Sequence, residues 1–168
     1  MTPESLSEVF AHVHAGRFAE AEAVVRRLID RTDKQDHGTL CYLFGLLGSV
    51  LNSLGRHDDA TGVLREAMNQ ELHVSGANPE ATPHRYMLAN QYVNFGDPEQ
   101  ALAVIQVVPP GVGHVRCLLH ITAAKALLAL GRQEEARRAA AEALAAAPTD
   151  ERRADVFLEL GEMLESKD

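Results

Sequence analysis

Leu130-Gly131-Arg132-Gln133-Glu134-Glu135-Ala136 decides how this chain is read, because the same phrase returns three more times in degenerate form. The other copies are Ala15-Gly16-Arg17-Phe18-Ala19-Glu20-Ala21, Leu54-Gly55-Arg56-His57-Asp58-Asp59-Ala60 and Phe95-Gly96-Asp97-Pro98-Glu99-Gln100-Ala101. Each is a small or apolar residue, Gly, a polar residue and then a stretch with acidic residues that ends in Ala. The glycines are 39, 41 and 35 residues apart, so the phrase punctuates most of the 168-residue chain. Gly enters left-handed backbone at low steric cost and ends one helix, while the Asp or Glu that follows favours the positive end of the next. Each copy therefore predicts a helix-turn-helix hairpin. In the third, Asp97 is placed to cap, Pro98 suits the first helical position and Gln100 can reach back in a capping-box-like start.

The segments between the turns repeat apolar residues at three- and four-residue spacing, as in Leu40, Leu43, Phe44, Leu47, Val50, Leu51 and Leu54, or Leu118, Ile121, Leu127, Leu128 and Leu130. The spacing predicts helices near 3–15, 18–31, 39–54, 57–73, 83–95, 98–107, 114–130, 133–147 and 151–166. Composition agrees: 46% of residues are hydrophobic but only 5% aromatic, with no Trp, which favours close-packed helices over sheets. The breaker-rich stretch from Val74 to Pro83 and the run Pro109-Pro110-Gly111-Val112-Gly113 read as loops between repeats, the second cutting the sixth helix short. Neither is long enough to divide the chain, so a single domain is expected.

Sixteen Lys and Arg against twenty-four Asp and Glu give a formal charge of -8, whose field repels nucleic acid and anionic lipid. The Arg residues are scattered and form no basic arm. Cys41 and Cys117 lie far apart inside apolar helical stretches, which suits reduced thiols in a cytoplasmic setting better than a disulfide framework or a zinc site. The start Met1-Thr2-Pro3-Glu4 lacks the basic and apolar regions of a secretion signal, and no run is apolar for long enough to span a membrane.

Leu47-Gly48 and Leu51 before Gly55, and Leu88-Ala89 and Tyr92 before Gly96, resemble the tetratricopeptide pattern of Leu-Gly-x-x-Tyr followed by a Gly turn and a later Ala. Ala21, Ala60, Ala101 and Ala136 occupy that later small position, and Pro148 closes the fourth repeat. The resemblance implies a right-handed α-solenoid of stacked antiparallel helix pairs, with repeats near 3–32, 39–74, 82–108 and 114–148 and a capping helix over 151–166. The first repeat departs from the pattern, with Glu8, Val9 and His12 at its key places. The capping helix sets Phe157, Leu158, Leu160 and Leu164 beside Glu151, Arg152, Arg153, Glu159 and Glu162, and a terminal element needs such a polar outer face.

Hairpins of this kind stack so that their first helices line a concave groove. The resemblance implies that the groove carries Tyr42, Gly45, Ser49, Asn52 and Ser53, then Tyr86, Asn90, Val93 and Asn94, then Leu118, Ile121, Lys125, Leu128 and Ala129. Asn side chains suit an extended partner backbone, while Tyr and aliphatic positions suit partner side chains. The function expected is non-catalytic binding of a protein or peptide segment, with no cofactor. Lys125 alone is a poor carboxylate clamp, so a heat-shock-chaperone tail is not the expected ligand. Small acidic tetratricopeptide proteins of this length also resemble chaperones of bacterial secretion systems, which is the alternative, and stacking of repeats allows a homo-oligomer.

Metal and catalytic readings are weaker. His114, Cys117 and His120 fan across about 120° of one helix without a fourth ligand, so a metal or redox centre there is the least favoured alternative. His12 and His14 point to different sides of a helix. Asp58-Asp59 and Glu134-Glu135 sit in first turns, where the helix dipole already accounts for them. Gly111-Val112-Gly113 lacks the Lys and strand of a phosphate loop.

Overall fold

The computed structural model describes residues 3–75, 83–106, 108 and 110–165. Among them are nine helices and no strand: α1 (Pro3–His14), α2 (Phe18–Arg31), α3 (His37–Ser53), α4 (His57–Ser75), α5 (Pro83–Asn94), α6 (Pro98–Ile105), α7 (His114–Ala129), α8 (Gln133–Ala146) and α9 (Asp150–Glu165). The fold is all-α and built from stacked helix pairs. The described chain forms two compact units, Met1–Gly76 and Ala77–Asp168, each with its own apolar core. The stretch 76–82, read above as a loop, lies outside the described residues, as do 107 and 109 of the second loop.

The four glycine phrases build one turn. Gly16, Gly55, Gly96 and Gly131 all have positive φ, between 69° and 90°. The N–H of the next residue reaches the carbonyl five positions back: Arg17 to His12, Arg56 to Leu51, Asp97 to Tyr92 and Arg132 to Leu127, each at 2.9 Å. That is the Schellman closure of a helix end. The carbonyl of the same residue then accepts from Ala21, Ala60, Ala101 or Ala136 and so opens the next helix. All four Ala are buried at the elbow, where a larger side chain would hold the two helices apart.

What caps the second helices varies. Asp97 accepts from the Gln100 N–H at 3.1 Å, as expected of its sequence. Arg17 and Arg132 make no side-chain cap. Arg56 and Arg132 instead turn onto the acidic residue three positions on, Asp59 and Glu135, and Arg56 also reaches Glu22 of α2 at 2.8 Å. The first-turn carboxylates of those two copies are thus bound by arginine as well as favoured by the helix dipole.

In the first unit α3 is central and packs on α2 and α4. Leu40, Leu43, Leu47, Val50 and Leu51 are buried on it, while Val9 of the atypical first helix joins the same core. At Gly48 α3 packs tightly on α4: a Cβ there would lie 2.7 Å from Leu64 Cγ and Cδ2, and Leu64 is itself buried. In the second unit α7 packs on α5, α6, α8 and α9 and is buried around most of its circumference.

The sixth helix is shorter than the spacing implied, ending at Ile105 rather than 107. Gln106 adopts φ 53°, and the guanidinium of Arg85 on α5 donates to the carbonyls of Val104 and Ile105, satisfying the last turn before proline is reached. The Gly113 N–H then donates to the Ala146 carbonyl at 2.9 Å, tying the following loop to the end of α8.

These contacts separate two costs of adding a methyl group. Gly131→Ala meets open space but forces left-handed backbone on an L-residue, and we expect a loss of about 1 kcal/mol. Gly48→Ala keeps a favourable helical backbone but overpacks against Leu64, for an expected loss of about 1–3 kcal/mol. Urea unfolding of both variants checks this, and Leu64→Ala added to Gly48→Ala should relieve the clash, so that the double variant is better than additive.

Candidate protein-binding face

In the second unit the first helices of successive pairs lie side by side, α5 against α7 and α7 against α9. Tyr86, Asn90 and Val93 follow the i, i+4, i+7 spacing and share one stripe of α5, all half-buried, with Asn94 exposed beside it. On α7, Leu118 is half-buried and packs against the core, and Lys125 is half-buried and ion-paired with Glu159 of α9 at 2.5 Å. Arg152 and Asp155 of α9 pair at 3.2 Å. Burial raises the Tyr86 phenol above its ordinary value, Glu159 adds to this, and Lys125 and Arg152 oppose it. The Tyr86 phenol, Lys125, Glu159 and Arg152 therefore share one electrostatic neighbourhood reached from three helices.

One nominated residue is elsewhere. Ile121 is 3% exposed and belongs to the core. Because neighbours cover α7 on so many sides, the residues it leaves open or half-buried are His114, Arg116, Leu118, Lys125, Leu128 and Ala129, and Ile121 is not among them. In the first unit, Tyr42 and Ser49 are exposed on α3 and Asn52 is half-buried. The Ser49 and Ser53 hydroxyls donate to the carbonyls of Gly45 and Ser49, and Asn52 Oδ1 lies 3.1 Å from His57 Nδ1. Gly45 is buried.

Glu159, Arg152 and Asp155 were missed as site residues because α9 was read only as a cap. A signal existed, since Lys125 and Glu159 are 34 residues apart, the length of one tetratricopeptide repeat. Asp36 caps α3: it accepts from the Thr39 N–H, and hydrogen bonding to Thr39 holds its carboxyl below the usual range.

His114, Cys117 and His120 do not gather their ligand atoms into one group among the described residues. His114 is exposed, Cys117 is fully buried, and His120, 8% exposed, has Nδ1 3.1 Å from a Glu142 carboxylate oxygen on α8. It borders a cavity of about 370 Å³ lined also by Leu102, Ile105, Leu127 and Ala139. Burial pushes the imidazole below its ordinary value of 6.5, and Glu142 only partly offsets this. The unfolded chain then takes up a proton before the folded one does. Stability is accordingly full above 6.5 and falls as pH drops below it. Thermal melts across that value should show the decline in the wild type and a flatter profile in His120→Gln.

Three segments, 7–27, 83–106 and 118–147, match the family model described as tetratricopeptide repeat. The α3–α4 hairpin lies outside the matched residues but has the same glycine turn. No curated protein matches the chain in sequence. Two solved structures of MamA are similar in fold. That of MSR-1 is 18% identical with a TM-score of 0.54, covering 96% of this chain and 87% of its own. That of AMB-1 is 18% identical with a TM-score of 0.57, covering 95% of this chain and 91% of its own. The three matched segments are tetratricopeptide repeats and the α3–α4 hairpin shares their turn, while the likeness to the two MamA structures is one of fold.

Proposed function

We propose that this protein is a non-catalytic, cytoplasmic interaction scaffold that holds a segment of another polypeptide against the first helices of its repeats. Tetratricopeptide repeats are protein-interaction scaffolds, which supports the coarse reading. The observation that carries the finer one is the face of α5, α7 and α9, where Tyr86, Asn90 and Val93 stand in line beside the Lys125–Glu159 pair. Asn90 and Asn94 offer both donors and acceptors to a backbone, and Tyr86 offers an apolar ring with a polar tip. Leu118 and Leu128 supply apolar ground. Tyr42, Ser49 and Asn52 form a second, smaller set on α3.

Lys125 is engaged by Glu159, so it is a poor seat for a free carboxylate. The segment that fits is uncharged or carries both signs, and lies with its backbone toward the Asn residues. Affinity capture from the native cell extract, comparing wild type with Tyr86→Ala/Asn90→Ala, tests this. We expect recovery of the principal partner to fall by on the order of tenfold or more. Helix content should not change, with a modest fall in melting temperature because Tyr86 packs against the core. Undiminished recovery by the folded double variant sinks the assignment of this face.

A further inference from the structure

Small side chains leave a space in the second unit that the helices do not fill. α6 and α8 both pack on α7, but α6 stops at Ile105, and the α7 and α8 positions that face the space include Ala123 and Ala139. The result is the cavity of about 370 Å³ beside His120, whose apolar wall is Leu102, Ile105 and Leu127. His120, Ala123 and Leu127 follow i, i+3, i+7 and so share one side of α7, roughly opposite Leu118 and Lys125. The cavity is therefore separate from the α5–α7–α9 face, and its volume lies in the range of small-molecule sites, about 300–1,000 Å³.

The chemistry of the wall selects the ligand. Among the described residues that line the cavity, His120 is the one buried polar group, while Gln106, Glu135, Arg138 and Glu142 are exposed at its rim. The Glu142 carboxylate 3.1 Å from Nδ1 favours a proton on that nitrogen, and burial keeps the ring neutral, so Nε2 is left as a bare acceptor. Nε2 has no hydrogen-bond partner among the described residues. At the rim, Glu135 is held by two hydrogen bonds from Arg132, and Arg138 and Glu142 contribute one charge of each sign. The rim thus rewards neither an anion nor a cation, and a charged head drawn inside would lose its hydration without compensation. We propose that this cavity binds a small neutral alcohol or phenol, its apolar body against Leu102, Ile105 and Leu127 and its hydroxyl donating to Nε2 of His120. The site is independent of the segment-binding face proposed above.

Naphthol carrying its hydroxyl at the β position and the methyl ether of the same compound share one ring system, but only the alcohol can donate. Fluorescence titration of the full chain with each probe isolates the hydrogen bond. The alcohol should saturate one site with a Kd on the order of 0.1 mM, and the ether should bind about tenfold more weakly. The corresponding naphthoate anion should also bind more weakly than the alcohol. Ala139→Leu, which fills the cavity, should abolish binding, and His120→Leu, which keeps the bulk but removes the acceptor, should reduce the alcohol to the affinity of the ether. Circular dichroism verifies that both variants are folded. Wild-type affinity for the alcohol should fall as pH drops below 6.5, where protonation turns Nε2 from acceptor into donor. Equal affinity for alcohol and ether, preference for the anion, indifference to either substitution, or absence of saturable binding overturns the proposal. If a variant fails to fold, the comparison of probes on the wild type still decides.

Discussion

One residue in each turn serves two helices, and the stack depends on it. The position after each glycine donates its N–H to the carbonyl five residues back and offers its own carbonyl to the alanine four residues on. The first bond closes a helix and the second opens the next, so the chain reverses with almost no intervening loop. Only a left-handed residue before it brings that N–H to the carbonyl. The buried alanine on the far side lets the second helix settle against the first. Two short residue types, glycine for the turn and alanine for the elbow, thus fix hairpin geometry before any long-range packing is considered.

Packing of pairs against one another then divides each helix into a buried part and a remaining face. In the second unit α7 shows this most strongly, because four neighbours leave only its two ends and Arg116, Leu118 and Lys125 near solvent. Polar groups drawn into the interior along the way require partners. His120 finds Glu142 on α8, and Arg85 finds the terminal carbonyls of α6. The second contact satisfies carbonyls at the end of α6, so an arginine on one helix serves the terminus of its neighbour.

The helix starts were legible within a residue or two because caps and glycines act locally, and Asp97 performs the capping its sequence advertised. The stripe Tyr86, Asn90 and Val93 was legible for the same reason, as helical spacing puts those residues together whatever surrounds them. Ile121 was misplaced because its exposure depends on how many helices crowd α7, which spacing within α7 does not contain. Phe157 and Leu158 were misread in the same way: they were grouped with Leu160 as one apolar side, but α8 and α7 cover only the side that carries Val156 and Leu160.

Local chemistry written in residue order therefore determined the helices, the four hairpin turns and the kinship with tetratricopeptide repeats. Tertiary structure alone decided which apolar residues the interior took and which it left outside, that Lys125 meets Glu159 across two helices, and that Arg85 meets the last carbonyls of α6. The reason is range. Capping and turn formation act between residues a few positions apart, whereas burial and ion pairing join residues tens of positions apart, whose meeting is set by the packing of whole helices.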